Sequence, residues 1–242
     1  MFALGVQSMN YGDFSGMDQT GTITDDFSAN ETALVLSHSR QISIFKLGVS
    51  AKYIQGAIES YRSSALGFDI GGSFIHPERE LVVSLLFKNL GFVMSDYSAT
   101  SSESLPTDLQ VGVTFKPDHM PFRFTFTGYN LMNTGAAYYD ASLSVNEEAP
   151  GSIDKFFRHV NFGAELLLGP NFNLRVGYNH LIRKELRIEE KAGFVGLSLG
   201  FMAKIKAFEL AYSLSSHHVD GAKSYFTLSS NLNRLFKKKS II

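Results

Sequence analysis

The sequence predicts an all-β protein, a transmembrane antiparallel β-barrel rather than a soluble enzyme. Three observations predict it. Period-2 alternation of apolar and polar residues recurs along almost the whole chain, and helical periodicity is scarce. Several alternating runs reach the roughly 9–11 residues that a tilted membrane-crossing strand needs, against about 5–6 for a strand in a soluble protein. The connections between runs alternate between tight and long, with the 59–60 junction the one partial exception, as in bacterial barrels with short periplasmic turns and longer extracellular loops.

Composition agrees. The chain has 242 residues, a formal charge of −1, 21 Phe, 10 Tyr and 21 Gly, with neither Trp nor Cys. Without cysteine there is no disulfide scaffold, thiolate metal site or cysteine nucleophile. A balanced charge gives no basic face for nucleic acid. No apolar run approaches the roughly 18–20 residues of a membrane helix, and Leu81–Phe87 is interrupted by Ser84. The chain opens Met-Phe-Ala-Leu-Gly-Val-Gln, already in a strand pattern, where a signal peptide would show a charged and then an apolar region. The reading is a fragment lacking its N-terminal beginning.

Twelve strands are expected, at residues 2–11, 29–40, 42–58, 61–75, 81–90, 107–115, 122–131, 159–168, 172–181, 194–203, 207–216 and 224–232. Leu66, Phe68, Ile70 and Phe74 alternate with Gly67, Asp69, Gly71 and Ser73. In the next run Leu81, Val83, Leu85 and Phe87 alternate with Val82, Ser84, Leu86 and Lys88. Leu109, Val111, Val113 and Phe115 face away from Asp108, Gln110, Gly112 and Thr114. Phe122, Phe124 and Phe126 alternate with Arg123, Thr125 and Thr127, and Phe172, Leu174, Val176 and Tyr178 with Asn173, Arg175, Gly177 and Asn179. One face is greasy; the other carries Gly, Thr and charges.

Between these strands the expected loops run long at Gly12–Ser28, tight near Gln41, and tight again at Glu59–Ser60, where two long strands meet as a protruding hairpin. Then come tight Pro77–Glu80, long Gly91–Pro106, tight Lys116–Pro121 and long Met132–Arg158. Tight Gly169–Asn171, long Ile182–Gly193, tight Lys204–Lys206 and medium His217–Lys223 complete the series. An even strand count puts both ends on the short-turn side. Residues 1–236 form the barrel and 237–242 a basic tail, whose Lys237-Lys238-Lys239 is a solvated run before it is a lipid-binding one.

Chemistry-bearing motifs are few. Ser43-Ile44-Phe45-Lys46 and Ser152-Ile153-Asp154-Lys155 match S-x-x-K, but no S-D-N or K-T-G accompanies them, and the first is expected within a strand. His217-His218, His119 and His159 have no carboxylate or thiolate at ligand spacing, so the adjacent pair reads as a solvated loop and no metal is expected. Gly193, Gly196 and Gly200 do not make a phosphate loop and mark a strand start. Asn30-Glu31-Thr32 fits a glycosylation sequon but lies in an expected strand. No Ser, His and acid set is placed together, so no catalytic residue and no cofactor is expected. Tyr11, Tyr53, Tyr61, Tyr129, Tyr178, Tyr212 and Tyr225 fall near strand ends, as interfacial girdles would. Asp69, Lys88, Gln110, Arg123, Glu165 and Arg175 share the polar face and form the candidate lumen network, as a structural filling of the interior or as a gate.

Eight segments in order along the chain carry a resemblance: Leu47–Ile54, Leu81–Phe87, Lys88–Gly91, Leu105–Val113, Met120–Phe124, Phe162–Glu165, Leu174–Asn179 and Tyr225–Leu232. In these the chain resembles the PorQ family of the Bacteroidota type IX secretion system, related to PorV within the FadL-like barrels. The resemblance implies a 14-stranded barrel in the cell outer membrane, of which a first hairpin and the signal peptide are absent here. It implies outer-membrane lipid as surroundings, and a PorZ-like surface protein with PorU-like and PorV-like components as partners in an attachment complex. Loops 12–28, 91–106, 132–158 and 182–193 would then hold the partner. The alternative is a FadL-like outer-membrane transporter of hydrophobic compounds. A soluble β-sandwich would have to bury the Phe-rich face.

Overall fold

A computed structural model of the chain describes residues 1–18, 20–98, 103–133, 151–186, 193–218 and 221–230. The strands are β1 (Phe2–Phe14), β2 (Phe27–Ile42), β3 (Phe45–Ile58), β4 (Tyr61–Ile75), β5 (Leu81–Ser95), β6 (Asp108–Phe115) and β7 (Phe122–Gly128). After the helix α1 (Ser152–Arg158) come β8 (Val160–Leu167) and β9 (Phe172–Asn179). A second helix α2 (His180–Glu185) precedes β10 (Leu197–Ile205), β11 (Phe208–His218) and β12 (Gly221–Ser230). All twelve strands belong to one sheet, in chain order from β1 to β12, so each is hydrogen-bonded only to its neighbours in sequence. This all-β antiparallel meander is the fold class that the alternation predicts, the kind that builds outer-membrane barrels.

Tight hairpins fix the registers. Ser43, Glu59 and Lys206 each take a left-handed backbone, φ 53°, 56° and 56°, in the two-residue links 43–44, 59–60 and 206–207. Positive φ matches the twist of the flanking strands, at a cost for a residue with a Cβ. Ser43 therefore lies in a turn, not within a strand as expected. The registers that follow are regular: Ile42 pairs with Phe45 and Ala29 with Ile58 across β2–β3, and Ile58 with Tyr61 across β3–β4. Between β1 and β2 a bulge interrupts the ladder at Asn10–Asp13, where Gly12 turns left-handed (φ 88°) and donates its N–H to Asn10 Oδ1 at 2.8 Å.

Contacts divide the chain into two units, residues 1–75 with 84–110, and 76–83 with 111–242. In the first, the registers place Phe45, Leu47, Val49, Phe68 and Ile70 on one face and Ser50, Lys52, Asp69 and Ser73 on the other. In the second, one row runs Phe122, Leu166, Leu174, Phe201, Tyr212 and Phe226, one residue per strand from β7 to β12. The adjacent row carries Arg123, Glu165, Arg175, Gly200, Ser213 and Tyr225. The apolar face is the exposed one: Leu4 is 78 % exposed, Leu199 60 % and Phe226 68 %. Among the described residues, the buried apolar side chains are only Ala29, Ala65 and Val195. A soluble protein rarely exposes large contiguous apolar patches.

Several boundaries differ from the expected ones. β1 and β5 run on to Phe14 and Ser95, shortening two long loops. β9 stops at Asn179 because α2 begins at His180, and β10 starts at Leu197. His217 and His218 end β11 rather than forming a loop; His218 pairs with Gly221, so the expected medium loop reduces to residues 219–220. Residues 134–150, 187–192 and the tail with Lys237, Lys238 and Lys239 lie outside the described residues.

Candidate functional site

The polar face of the first unit is a pattern of hydroxyls around one ion pair. Cross-strand serines pair at 2.8 Å (Ser37–Ser50) and 2.9 Å (Ser73–Ser84). Lys52 of β3 meets Asp69 of β4 at 2.7 Å and donates to Asn89 Oδ1 at 2.6 Å, while the Asn89 N–H donates to Asp69 Oδ1 at 2.8 Å. Asn89 has φ 57°, and it also ties the incoming strand: its Nδ2 donates to Pro106 O at 3.0 Å and its carbonyl accepts from Thr107 Oγ1 at 3.1 Å. Gln110 donates to Asp108 Oδ2 at 2.7 Å, leaving the buried Asp108 Oδ1 without a partner. A cleft of about 520 Å³ on this face is lined by Ser37, Ser50, Asp69, Ser73 and Ser84.

In the second unit the charges form a ladder. Arg123 faces Glu165 across β7–β8, and Glu165 faces Arg175 across β8–β9. The contacts are 3.1 Å from Arg123 and 3.2 Å from Arg175 to opposite oxygens of the same carboxylate. Directly opposed unlike charges are the favourable cross-strand arrangement. Glu80 adds a rung, at 3.7 Å from Arg123 and 2.7 Å from Lys116. The hydrogen bond from Lys116 draws the Glu80 carboxyl below the ordinary carboxylate value, against a smaller opposing effect of burial. Gly200 stands opposite Arg175 in the register; a Cβ there would meet Tyr212 O at 2.7 Å, so the row closes tightly onto β11.

Of the six polar-face residues singled out in the sequence, Arg123, Glu165 and Arg175 come together. Asp69 gathers Lys52 and Asn89 instead, Gln110 bonds to Asp108, and Lys88 makes no ion pair among the described residues. Lys52, Glu80, Asn89 and Lys116 were missed. Alternation in β3 puts Lys52 on the polar face with Gly48 and Ser50, but its partner follows only from the register.

Outside the strands, α1 and α2 are fastened together by a charged cluster. His180 Nε2 donates to Asp154 Oδ1 at 2.8 Å, Arg158 Nε to Asp154 Oδ2 at 2.7 Å, and Lys184 stands 3.8 Å from the same carboxylate. Desolvation pushes the Asp154 carboxyl up, but the bonds from His180 and Arg158 and the charges of Arg158 and Lys184 outweigh it and hold it below the usual value. Asn179 caps α2 by accepting the Ile182 N–H at 2.8 Å. Gly196 (φ 82°) passes beneath, where a Cβ would lie 2.7 Å from Asn179 O. Tyr178 Oη approaches His180 Nδ1 at 2.9 Å, completing a hydroxyl–imidazole–carboxylate chain that the sequence did not disclose. Its carboxylate is already engaged by two further cations, which makes it a fastening between helices. Ser152 does open a helix, as S-x-x-K chemistry requires, but S-D-N and K-T-G have no match in the sequence.

No family model matches the chain, and no curated protein matches it significantly. Among solved structures, two substituted variants of the Rh. blastica porin are similar, each at 9 % identity, with 94 % of this chain and 88 % of the porin covered and TM-scores of 0.34 and 0.33.

Proposed function

We propose that the chain is an outer-membrane β-barrel protein that serves a type IX secretion attachment complex by anchoring a PorZ-like surface partner. The observation that carries the membrane reading is the exposed apolar face repeated on strand after strand, opposite a polar face filled by ion pairs and hydroxyls. Lipid covers such a face at no cost, whereas water does not. Outer-membrane strands also suit most of the loop pattern: every second connection (43–44, 76–80, 116–121, 168–171 and 206–207) is short, while of the connections between these only 59–60 and 219–220 are short as well. The finer reading rests on the resemblance to PorQ-type barrels along the strands. Its partner-binding loops are the long connections, of which residues 134–150 and 187–192 lie outside the described ones. The role is non-catalytic, consistent with a charged ladder whose carboxylates are all engaged.

The alternative is a FadL-like transporter of hydrophobic compounds. The clefts mix Ser, Gly and charged groups with Leu47, Val49, Leu85, Val176 and Leu199, and the anchor reading takes precedence through the resemblance alone. Gentle affinity purification from the host outer membrane, with mass spectrometry of what co-purifies, decides between them. Recovery of a PorZ-like surface protein with the PorU-like and PorV-like components is the expected result. A lone barrel carrying a hydrophobic solute would sink the anchor reading and leave transport standing.

A further inference from the structure

The connection from β7 to β8 lays α1 against the apolar face of the sheet, not the polar one. Phe157 of α1 packs on Phe162 of β8, ring centroids 5.9 Å apart, and Phe162 meets Phe126 of β7 edge-on at 5.5 Å. Between helix and sheet lies a cavity of about 790 Å³. That is within the roughly 300–1,000 Å³ of small-molecule sites. Val113, Phe126 and Phe162 make its floor, and Ser152, Lys155 and Phe156, at helical spacing on one side of α1, make its roof.

Among the described residues no carboxylate pairs with the Lys155 ammonium; the adjacent Asp154 is engaged by Arg158, His180 and Lys184. Among the described residues the groove thus offers an apolar trench with no carboxylate at the Lys155 ammonium, and by the register it lies on the same face as the exposed Leu174, Val176 and Leu199. An amphiphile satisfies both parts, its chain in the trench and its anionic group at the ammonium. No hydrogen bond joins the Ser152 hydroxyl to Lys155 or His159, so a nucleophile–base pair is not built there and the groove is a binding surface. We propose that this groove binds one acyl chain of an anionic membrane phospholipid, with Lys155 paired to its net negative headgroup. The assignment rests on the membrane reading above.

The test uses protein extracted from its own membranes in dodecyl maltoside and native mass spectrometry with chain-matched phosphatidylglycerol and phosphatidylcholine. The expected result is one phosphatidylglycerol retained at least about tenfold more strongly than phosphatidylcholine. Lys155→Glu removes that preference, and Val113→Trp, which fills the floor, removes both lipids. Lys206→Glu, in the turn between β10 and β11, makes the same charge change elsewhere and keeps the preference. Equal retention of the two lipids, a preference unchanged in Lys155→Glu, or one lost equally in Lys206→Glu overturns the site. Because the chain has no Trp, Phe156→Trp adds a single fluorescent reporter at the groove. Quenching by acyl-brominated phosphatidylglycerol supports the site, and unquenched emission overturns it even where Val113→Trp does not fold. Carbonate washing of the same membranes separates the two readings. Release of the wild-type chain overturns the membrane reading itself; retention in the pellet without lipid preference overturns the groove alone.

Discussion

The two charged clusters on the polar face use the same chemistry and differ in how much water they have lost. Lys52 and Asp69 in the first unit are 12 % and 20 % exposed, one cation against one carboxylate, with the neutral Asn89 completing the set. In the second unit Arg123 and Arg175 are 36 % and 42 % exposed and share Glu165 between them. The distances barely differ, 2.7 Å against 3.1 and 3.2 Å. What separates the clusters is the solvation each charge would regain if its partner left. A nearly dry pair is held together by the penalty for breaking it, and a wet ladder by little more than its own attraction.

The largest expected effect follows from the dry pair. Asp69→Ala strands the Lys52 ammonium and should cost about 3 kcal/mol of unfolding free energy, read from urea titrations in detergent. A loss under about 1 kcal/mol would show the pair to be as wet as the ladder and would break the comparison. Replacing both partners, Lys52→Met with Asp69→Leu, should recover to within about 1 kcal/mol of the wild type, because neither charge is then left buried. Glu165→Gln should cost no more than about 1 kcal/mol, and that cost should shrink further in molar salt. The smallest effect belongs to the α1–α2 fastening. Asp154 is held below its ordinary value, so its contribution is present above the unfolded-state value and is lost as pH falls through the folded one, below about pH 4. The hydrogen-exchange protection factors of residues 152–158, taken relative to the intrinsic rate at each pH, should fall on that descent in the wild type and be low throughout in Asp154→Asn. Protection factors that stay constant across that pH range in the wild type would mean that packing of Phe157, not the charge cluster, holds the helices.

The strands were legible because alternation is a local property: Phe122 through Phe126, or Leu81 through Phe87, declare their faces without reference to any partner. Partnership is not local. Arg123 and Glu165 are 42 residues apart, and their meeting depends on the register between β7 and β8, which no local pattern declares. Lys52, Glu80 and Lys116 escaped notice for that reason. The helices escaped for another. α1 and α2 span seven and six residues, too short for a helical period to stand out from strand patterning. With α1 unseen, the groove beneath it was also unseen, although the alternation places Val113 and Phe126 on the apolar face.

Because each strand bonds only to the strands before and after it in the chain, the ladder is a chain of independent joints. A hairpin such as β3–β4 could be duplicated or excised without rethreading the rest, leaving the remaining registers intact and the inside–outside sense of every later strand unchanged. Size in such an architecture grows by twos, and the same adjacency lets the sheet zip up from nearby segments, with few distant encounters to wait for.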